Sequence, residues 1–360
     1  MTKTVSMPHS ANSDPTGYEA PTRELFKTPG GWAFVLISSL VLYLLATTER
    51  PPTLPDQWSY LAYFQVTDWQ WIVDYYSQST SAVSLAVGLV TEELGWRAWI
   101  LLVNSFGVTP EMGIRVTVVI INALVFCSLS RLSRPLLGLA LWFVIPAALA
   151  IVGLFQIRQG FAFAIAMLFA INFRRPVLGA LIASTIHTTF AIPAILLIVA
   201  RLSGDRQKIA LPAVSLAGIL LASMGGLLFK DYGGRRIDNY AGYQAEFSAR
   251  LLVLVITYGV ASAMLLYQLK PVEDSRLKPL RELATMHIGL IVYLIAAFFV
   301  FPFGKDRVFY YVSLLLPYFF QVLRVRTPAS LWFLLVLLVT MSAEIVLANA
   351  KGAYSVILYY

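Results

Sequence analysis

Of the 360 residues, 58% are hydrophobic and only 13% charged, and the mean hydropathy is +0.73. Soluble globular domains carry about a quarter charged residues, so this composition excludes one and predicts an all-α protein that crosses a membrane many times. The net charge of +8 reads as a topology signal rather than a nucleic-acid footprint, and a single cysteine with three scattered histidines (His9, His187, His287) predicts neither a disulfide framework, nor a metal site, nor a redox cofactor.

Taken in chain order, residues 1–30 are polar and lack the cleavage pattern of a signal peptide, which predicts a cytoplasmic tail. Apolar runs follow at 32–47, 113–130, 136–156, 160–173, 209–229, 249–267, 284–303, 308–323 and 329–348. A further stretch, 177–202, is interrupted by His187 and Pro193. At about 20 residues per span, and counting 177–202 as two short segments, about 11 crossings result. With the N-terminus inside, that count sends most of the 27 basic residues to inner loops, among them Arg131, Arg134, Arg174, Arg175, Arg201, Arg206, Lys208, Lys278, Arg281 and Arg324. Treating 177–202 as one crossing removes the asymmetry. The expected organisation is one polytopic domain over 31–348 with long outer segments at 48–112 and 230–248 and an outer tail at 349–360. Within the first outer segment, 82–106 is apolar but broken by Glu92, Glu93, Gly95 and Arg97, and is read as an amphipathic or re-entrant element.

Four segments place charge where a plain membrane anchor would not. Arg50 to Phe64 lies just beyond the first apolar run, and Asp56, Tyr60 and Phe64 follow an i, i+4, i+8 spacing that puts a carboxylate and two rings on one helix face. Such a face suits a sugar, although an interfacial aromatic belt has the same composition. Glu92-Glu93-Leu94-Gly95-Trp96 puts two acids into apolar sequence, where they need a partner or a water-filled cavity. Gln156-Ile157-Arg158-Gln159-Gly160 opens an apolar run of about 21 Å of helix, too short to span alone, so Arg158 is drawn toward the membrane core. Ser184-Thr185-Ile186-His187-Thr188-Thr189 places an imidazole near mid-membrane in a stretch that breaks there. Beyond these, the loop holding Arg235, Arg236, Tyr240 and Tyr243 and the turn holding Arg307, followed by Tyr310 and Tyr311, add cations and tyrosines on the same face, suited to an anionic, sugar-bearing ligand or to lipid headgroups.

The order Arg50, Asp56, Tyr60, Phe64, then Glu93-Leu94-Gly95-Trp96, then Ile157-Arg158-Gln159, then Ile182-Ala183 and His187, resembles the EpsG/Wzy type of bacterial polysaccharide polymerase. Leu94 stands where that family has proline, and about twenty residues after Phe64 have no counterpart. The resemblance implies a GT-C-like membrane glycosyltransferase with an extracytoplasmic cavity, in the bacterial inner membrane. Its substrates would be undecaprenyl-pyrophosphate-linked oligosaccharides, joined without a metal or cofactor, and a chain-length regulator and a flippase would be its partners. Arg158, with Arg235 or Arg236, would then neutralise the leaving pyrophosphate, and His187, Glu93 or Asp56 would serve as the base; the sequence does not rank them. Arg50, Tyr60, Gln159, Tyr240, Tyr243, Arg307 and Tyr310 complete the expected substrate-binding set. An O-antigen-ligase-like transferase would use similar groups. A lipid-glycan flippase would carry cations deep in several central helices, which this chain does not.

Overall fold

The computed structural model describes residues 25–48, 56–77, 82–204, 206–232, 249–269, 277–299, 305–324, 327–350 and 352. Among these residues the structure is helical and contains no strand. The helices are α1 (Pro29–Thr47), α2 (Gln57–Val66), α3 (Trp69–Ser77), α4 (Ala82–Thr91), α5 (Leu94–Asn104), α6 (Pro110–Leu129), α7 (Pro135–Val144), α8 (Ile157–Met167), α9 (Pro176–Ile186), α10 (Ala191–Leu202), α11 (Gln207–Tyr232), α12 (Ala249–Leu269), α13 (Lys278–Phe299), α14 (Lys305–Phe320) and α15 (Pro328–Ala350).

Among the described residues, α1, α6, α11, α12, α13 and α15 are long and apolar enough to cross a membrane. Among the described residues every apolar run expected from the sequence is mostly helical, the end of 284–303 lying outside them, so the all-helical, polytopic membrane reading stands. Several runs are not simple spans. Residues 136–156 become α7 followed, after a 66° bend, by a π-helical segment (Ala147–Gly153), with Pro146 at the break. Proline lacks an N–H and clashes with the turn before it, so a bend there is the ordinary outcome. The run opened by Arg158 becomes α8, continued by a second π-helical turn at Leu168–Asn172.

The stretch 177–202 is broken in the middle. Helix α9 ends at Ile186, His187 is extended with φ −144° and ψ 117°, Thr188–Phe190 form one 3-10 turn, and α10 begins at Ala191 with Pro193 in its first turn, where a missing N–H costs nothing. Helix α10 then turns back, since Leu197 returns to line the same small cavity as Pro176, the first residue of α9. The pair is a hairpin of 11 and 12 residues, each arm about 17 Å long at 1.5 Å per residue.

Buried polar side chains tie the spans together, as expected where lipid supplies no hydrophobic drive between helices. Asn122 of α6, fully buried, donates to the Gly153 carbonyl at 3.1 Å and accepts from Trp142 Nε1 at 3.1 Å, fixing the π-helical segment against α6 and α7. Ser128 meets Tyr318 at 2.7 Å, and Tyr258 of α12 bonds Glu344 of α15. His287, given no role by the sequence, spends both ring nitrogens inside the bundle, on Ser262 at 2.6 Å and the Val312 carbonyl at 3.0 Å.

Candidate functional site

Three segments far apart in sequence meet at the α4–α5 turn. Glu93 sits in that turn with a left-handed backbone, φ 56°, which costs a non-glycine residue of the order of 1 kcal/mol and persists only where its surroundings hold it. Its side chain is fully buried. One carboxylate oxygen takes Arg158 Nη1 at 2.5 Å and the other takes His187 Nδ1 at 2.9 Å, with the Thr188 backbone N–H on the same oxygen at 3.4 Å. The carboxylate therefore bridges a guanidinium from the first turn of α8 and an imidazole from the α9–α10 turn.

Glycine brings the two turns together. A Cβ on Gly95, in the first turn of α5, would strike Thr185 Oγ1 and lie about 3.0 Å from the Ile186 side chain, so only a residue without a side chain lets α5 lie against the end of α9. Gly160 acts likewise in α8, where a Cβ would meet the Val152 carbonyl of the π-helical segment. Leu94 occupies the first position of α5, a position that accepts proline as readily as leucine.

The acids in the turn divide their work. Glu92 pairs with Arg97 at 3.8 Å, and Arg97 also donates to Thr67 at 3.2 Å and lies over the Trp71 ring at 3.3 Å from its centroid. Arg97 thus clamps α3 to α5. Glu93 alone faces Arg158 and His187. Both acids have the partners that burial in an apolar stretch demands.

Tyr60 and Tyr63 of α2 close the site from above Arg158, with ring centroids 5.8 Å and 5.0 Å from its guanidinium carbon; Tyr63 also accepts from Nη1 at 3.3 Å. Of the expected stripe of Asp56, Tyr60 and Phe64, the two rings share one inward face of α2, while Asp56 precedes the helix and does not join them. Tyr60 and Phe64 are buried edge-on against Trp96, and Asp56 is exposed at the start of α2 with φ 60°. Gln159 donates to the Arg307 carbonyl at 2.8 Å, which draws the start of α14 to the start of α8. The Arg307 guanidinium is close enough to Tyr60, His187 and Tyr311 to act on each electrostatically. Tyr311, not Tyr310, reaches the α9–α10 turn, bonding Thr189 at 2.9 Å and packing edge-on against Phe190; Tyr310 is half-buried, its ring 6.5 Å from Phe309.

Four buried polar atoms around this arrangement have no hydrogen-bond partner among the described residues: His187 Nε2, Arg158 Nε, Gln156 Oε1 and Gln159 Oε1. An ionised carboxylate only accepts, so Nδ1 of His187 carries the proton and Nε2 presents its lone pair. Arg158 spends Nη1 on Glu93 and Tyr63, leaving its Nε edge. A histidine lone pair and the free edge of a guanidinium thus flank one carboxylate, with the unmet amide oxygens of Gln156 and Gln159 at the same end of α8 as Arg158, and unmet buried groups of this kind are what a polar ligand satisfies.

The sequence reading singled out Glu93, Arg158 and His187, and the structure joins them directly. Tyr60, Gln159 and Arg307 lie alongside, and Asp56 stands at the exposed start of α2. It gave no role to Tyr63, Gln156 or Thr188, and of the pair Tyr310 and Tyr311 it carried only Tyr310 into the binding set; Tyr63 follows Tyr60 by three residues, a helical spacing that signals the same face. Arg50, Arg235, Arg236, Tyr240 and Tyr243 lie outside the described residues, as do the polar tail at 1–24 and most of the outer tail at 349–360.

A sequence profile of the EpsG family matches residues 32–360, nearly the whole chain. No curated protein and no solved structure matches it. With an all-helical membrane bundle, a Glu-x-Gly turn and an arginine opening a short helix, the chain belongs to the EpsG family, a family of Wzy-type polysaccharide polymerases.

Proposed function

We propose that the chain polymerises undecaprenyl-pyrophosphate-linked oligosaccharide repeat units at the outer face of the inner membrane, and that the Glu93 turn is its active site. The observation that carries this reading is the single carboxylate holding Arg158 and His187 at 2.5 Å and 2.9 Å. The growing glycan on one lipid carrier is the donor, and a hydroxyl at the non-reducing end of a repeat unit on another carrier is the acceptor.

His187 Nε2 takes the proton of the attacking hydroxyl. The freed oxygen forms a bond to the donor anomeric carbon, and the bond from that carbon to the pyrophosphate oxygen breaks with its electron pair on the leaving undecaprenyl pyrophosphate. Glu93 holds Nδ1–H, fixing the tautomer and stabilising the imidazolium as it forms, the role an acid plays behind a histidine base in other enzymes. Arg158, oriented by Glu93 and Tyr63, presents its Nε edge to the phosphate oxygens on which charge develops, a term that grows large in a low-dielectric site. Arg307 adds a second cation, Gln156 and Gln159 accept from sugar hydroxyls, and no metal is called upon. Glu93 and His187 then share the base's work, and Asp56 takes no part in the proton transfer.

Among the described residues, six helices long and apolar enough to cross, with shorter apolar helices among them, support a multi-pass membrane bundle; eleven crossings in a GT-C-like arrangement, with the basic loops inside and the site outside, are part of the proposal. Replacing His187 by alanine tests the function. The variant is expected to insert at wild-type level and to leave cells with single repeat units in place of polymer on a glycan gel. Wild-type chain lengths would remove His187 from the mechanism.

A further inference from the structure

The turn that carries His187 is short. His187 is extended, and Thr188–Phe190 form a single 3-10 turn of three residues, a form with poorer hydrogen bonds than an α-helix, so its position depends on what it is bonded to. Along the main chain, His187 N–H donates to the Ala183 carbonyl at 2.9 Å and Phe190 N–H to the His187 carbonyl at 2.8 Å, both within the α9–α10 hairpin. Two consecutive threonines fix the turn to other helices. Thr188 Oγ1 donates to the Val90 carbonyl of α4 at 3.0 Å, and Thr189 Oγ1 meets the Tyr311 hydroxyl of α14 at 2.9 Å.

Tyr311 is itself well anchored. It is buried, and its ring packs edge-on against Phe190 with centroids 4.7 Å apart. It lies one turn after Arg307 in α14, whose carbonyl takes Gln159 Nε2 at 2.8 Å, and Gln159 directly follows Arg158 in α8. Helix α14 therefore reaches from the start of the arginine-bearing helix to the histidine-bearing turn. The bridge Arg158–Glu93–His187 is backed by a second path, Gln159–α14–Thr189, made of other residues.

We propose that Tyr311 is a positioning residue for His187: through Thr189, its hydroxyl holds the α9–α10 turn so that Nε2 faces the attacking hydroxyl while Glu93 holds Nδ1. One hydrogen bond at Nδ1 sets a distance but leaves the ring able to swing about it. Holding the backbone of the same turn removes that freedom. A reacting group misplaced by about 1 Å can lose about 10²-fold in rate. This role rests on the reading of His187 as the base, and Tyr311 itself touches no substrate.

Steady-state kinetics of the purified full chain test it, on the lipid-linked repeat units that accumulate in cells carrying His187→Ala, with thermal unfolding measured alongside. Tyr311→Phe keeps the ring against Phe190 and removes one oxygen. Its kcat per folded molecule is expected to fall about 10- to 100-fold with KM unchanged, because Arg158 and the glutamines beside it stay in place. Thr189→Val deletes the same bond from the other side and should give the same loss. The double variant should lose no more than either single one, and Thr189→Ser should recover most of what Thr189→Val loses. Thr189→Val carries the test should Tyr311→Phe fail to fold. A wild-type kcat for Tyr311→Phe overturns the proposal, as do losses that multiply in the double variant, or a fall in rate that comes with a raised KM and tracks thermal stability. Polymer formed by His187→Ala overturns both this role and the reading it rests on, whereas an inactive His187→Ala beside a wild-type Tyr311→Phe overturns this role alone.

Discussion

The imidazole of His187 meets the carboxylate of Glu93 at 2.9 Å across 94 residues of chain, and the same carboxylate holds Arg158 from the opposite side. Glu93 is therefore the hub of the three. On the proposed mechanism, Glu93→Gln keeps the shape and loses the charge that fixes the His187 tautomer. Polymer formation is expected to fall by about 10² to 10⁴, the range that general-base function contributes, with the amount of inserted protein unchanged. Initial rates on isolated lipid-linked repeat units measure it.

Removing the hub altogether has a different signature. Glu93→Ala leaves the Arg158 cation, 18% exposed at its side chain, without its partner. Breaking a buried pair in this way costs about 3–5 kcal/mol, reduced here by the exposed part of Arg158. Thermal unfolding in detergent should show a clear loss for Glu93→Ala and a smaller one for Glu93→Gln; equal losses would mean that the charge on Glu93 does not matter to the fold.

Arg158→Lys separates charge from shape. Lysine keeps the positive charge but has no second edge: an ammonium engaged by Glu93 and Tyr63 cannot also present a planar fork. The variant is expected to fold and to lose most polymer. Activity near the wild-type level would mean that only a point charge is needed there.

Gly95 offers a test of how the site is assembled. Gly95→Ala drives a methyl group onto Thr185 and Ile186, pushing the α4–α5 turn off the α9–α10 turn. Overpacking of this kind costs about 1–3 kcal/mol, and activity should fall with it. Thr185→Ala in the same chain removes the obstructing hydroxyl and should restore part of both. A double variant no better than Gly95→Ala alone would show that the two turns do not meet through these residues.

Much of this site was legible in the sequence because burying charge in an apolar segment is costly enough to mark it. Glu93, Arg158 and His187 stand out for that reason, and the break at His187 follows from a stretch that is too long for one half-span and carries a histidine and a proline. What linear sequence does not carry is the pairing. Glu93 and His187 read as rival bases because nothing in periodicity places residues 94 positions apart on one oxygen. The spacing of Tyr60 and Phe64 gave a shared helix face but not what it meets, which is Trp96, and Asp56 falls off that face because the helix starts one residue after it. The choice between Tyr310 and Tyr311 depended on the rotation of α14, which packing against Phe190 sets. The bend after α7 and the two π-helical turns were also out of reach, since a run such as 136–156 has one hydropathy whether straight or folded at Pro146.

The α9–α10 hairpin makes segment length a chemical variable. Because both arms enter and leave from the same end, the height of His187 is gauged by 11 and 12 residues of helix, while Glu93 and Arg158 are hung from other elements. Each added turn would lift the imidazole by about 5.4 Å, nearly twice its distance from the carboxylate. Insertions tolerated in long spans such as α11 or α15 would here unhitch the dyad, so these two short helices are a ruler whose graduations the protein is not free to change.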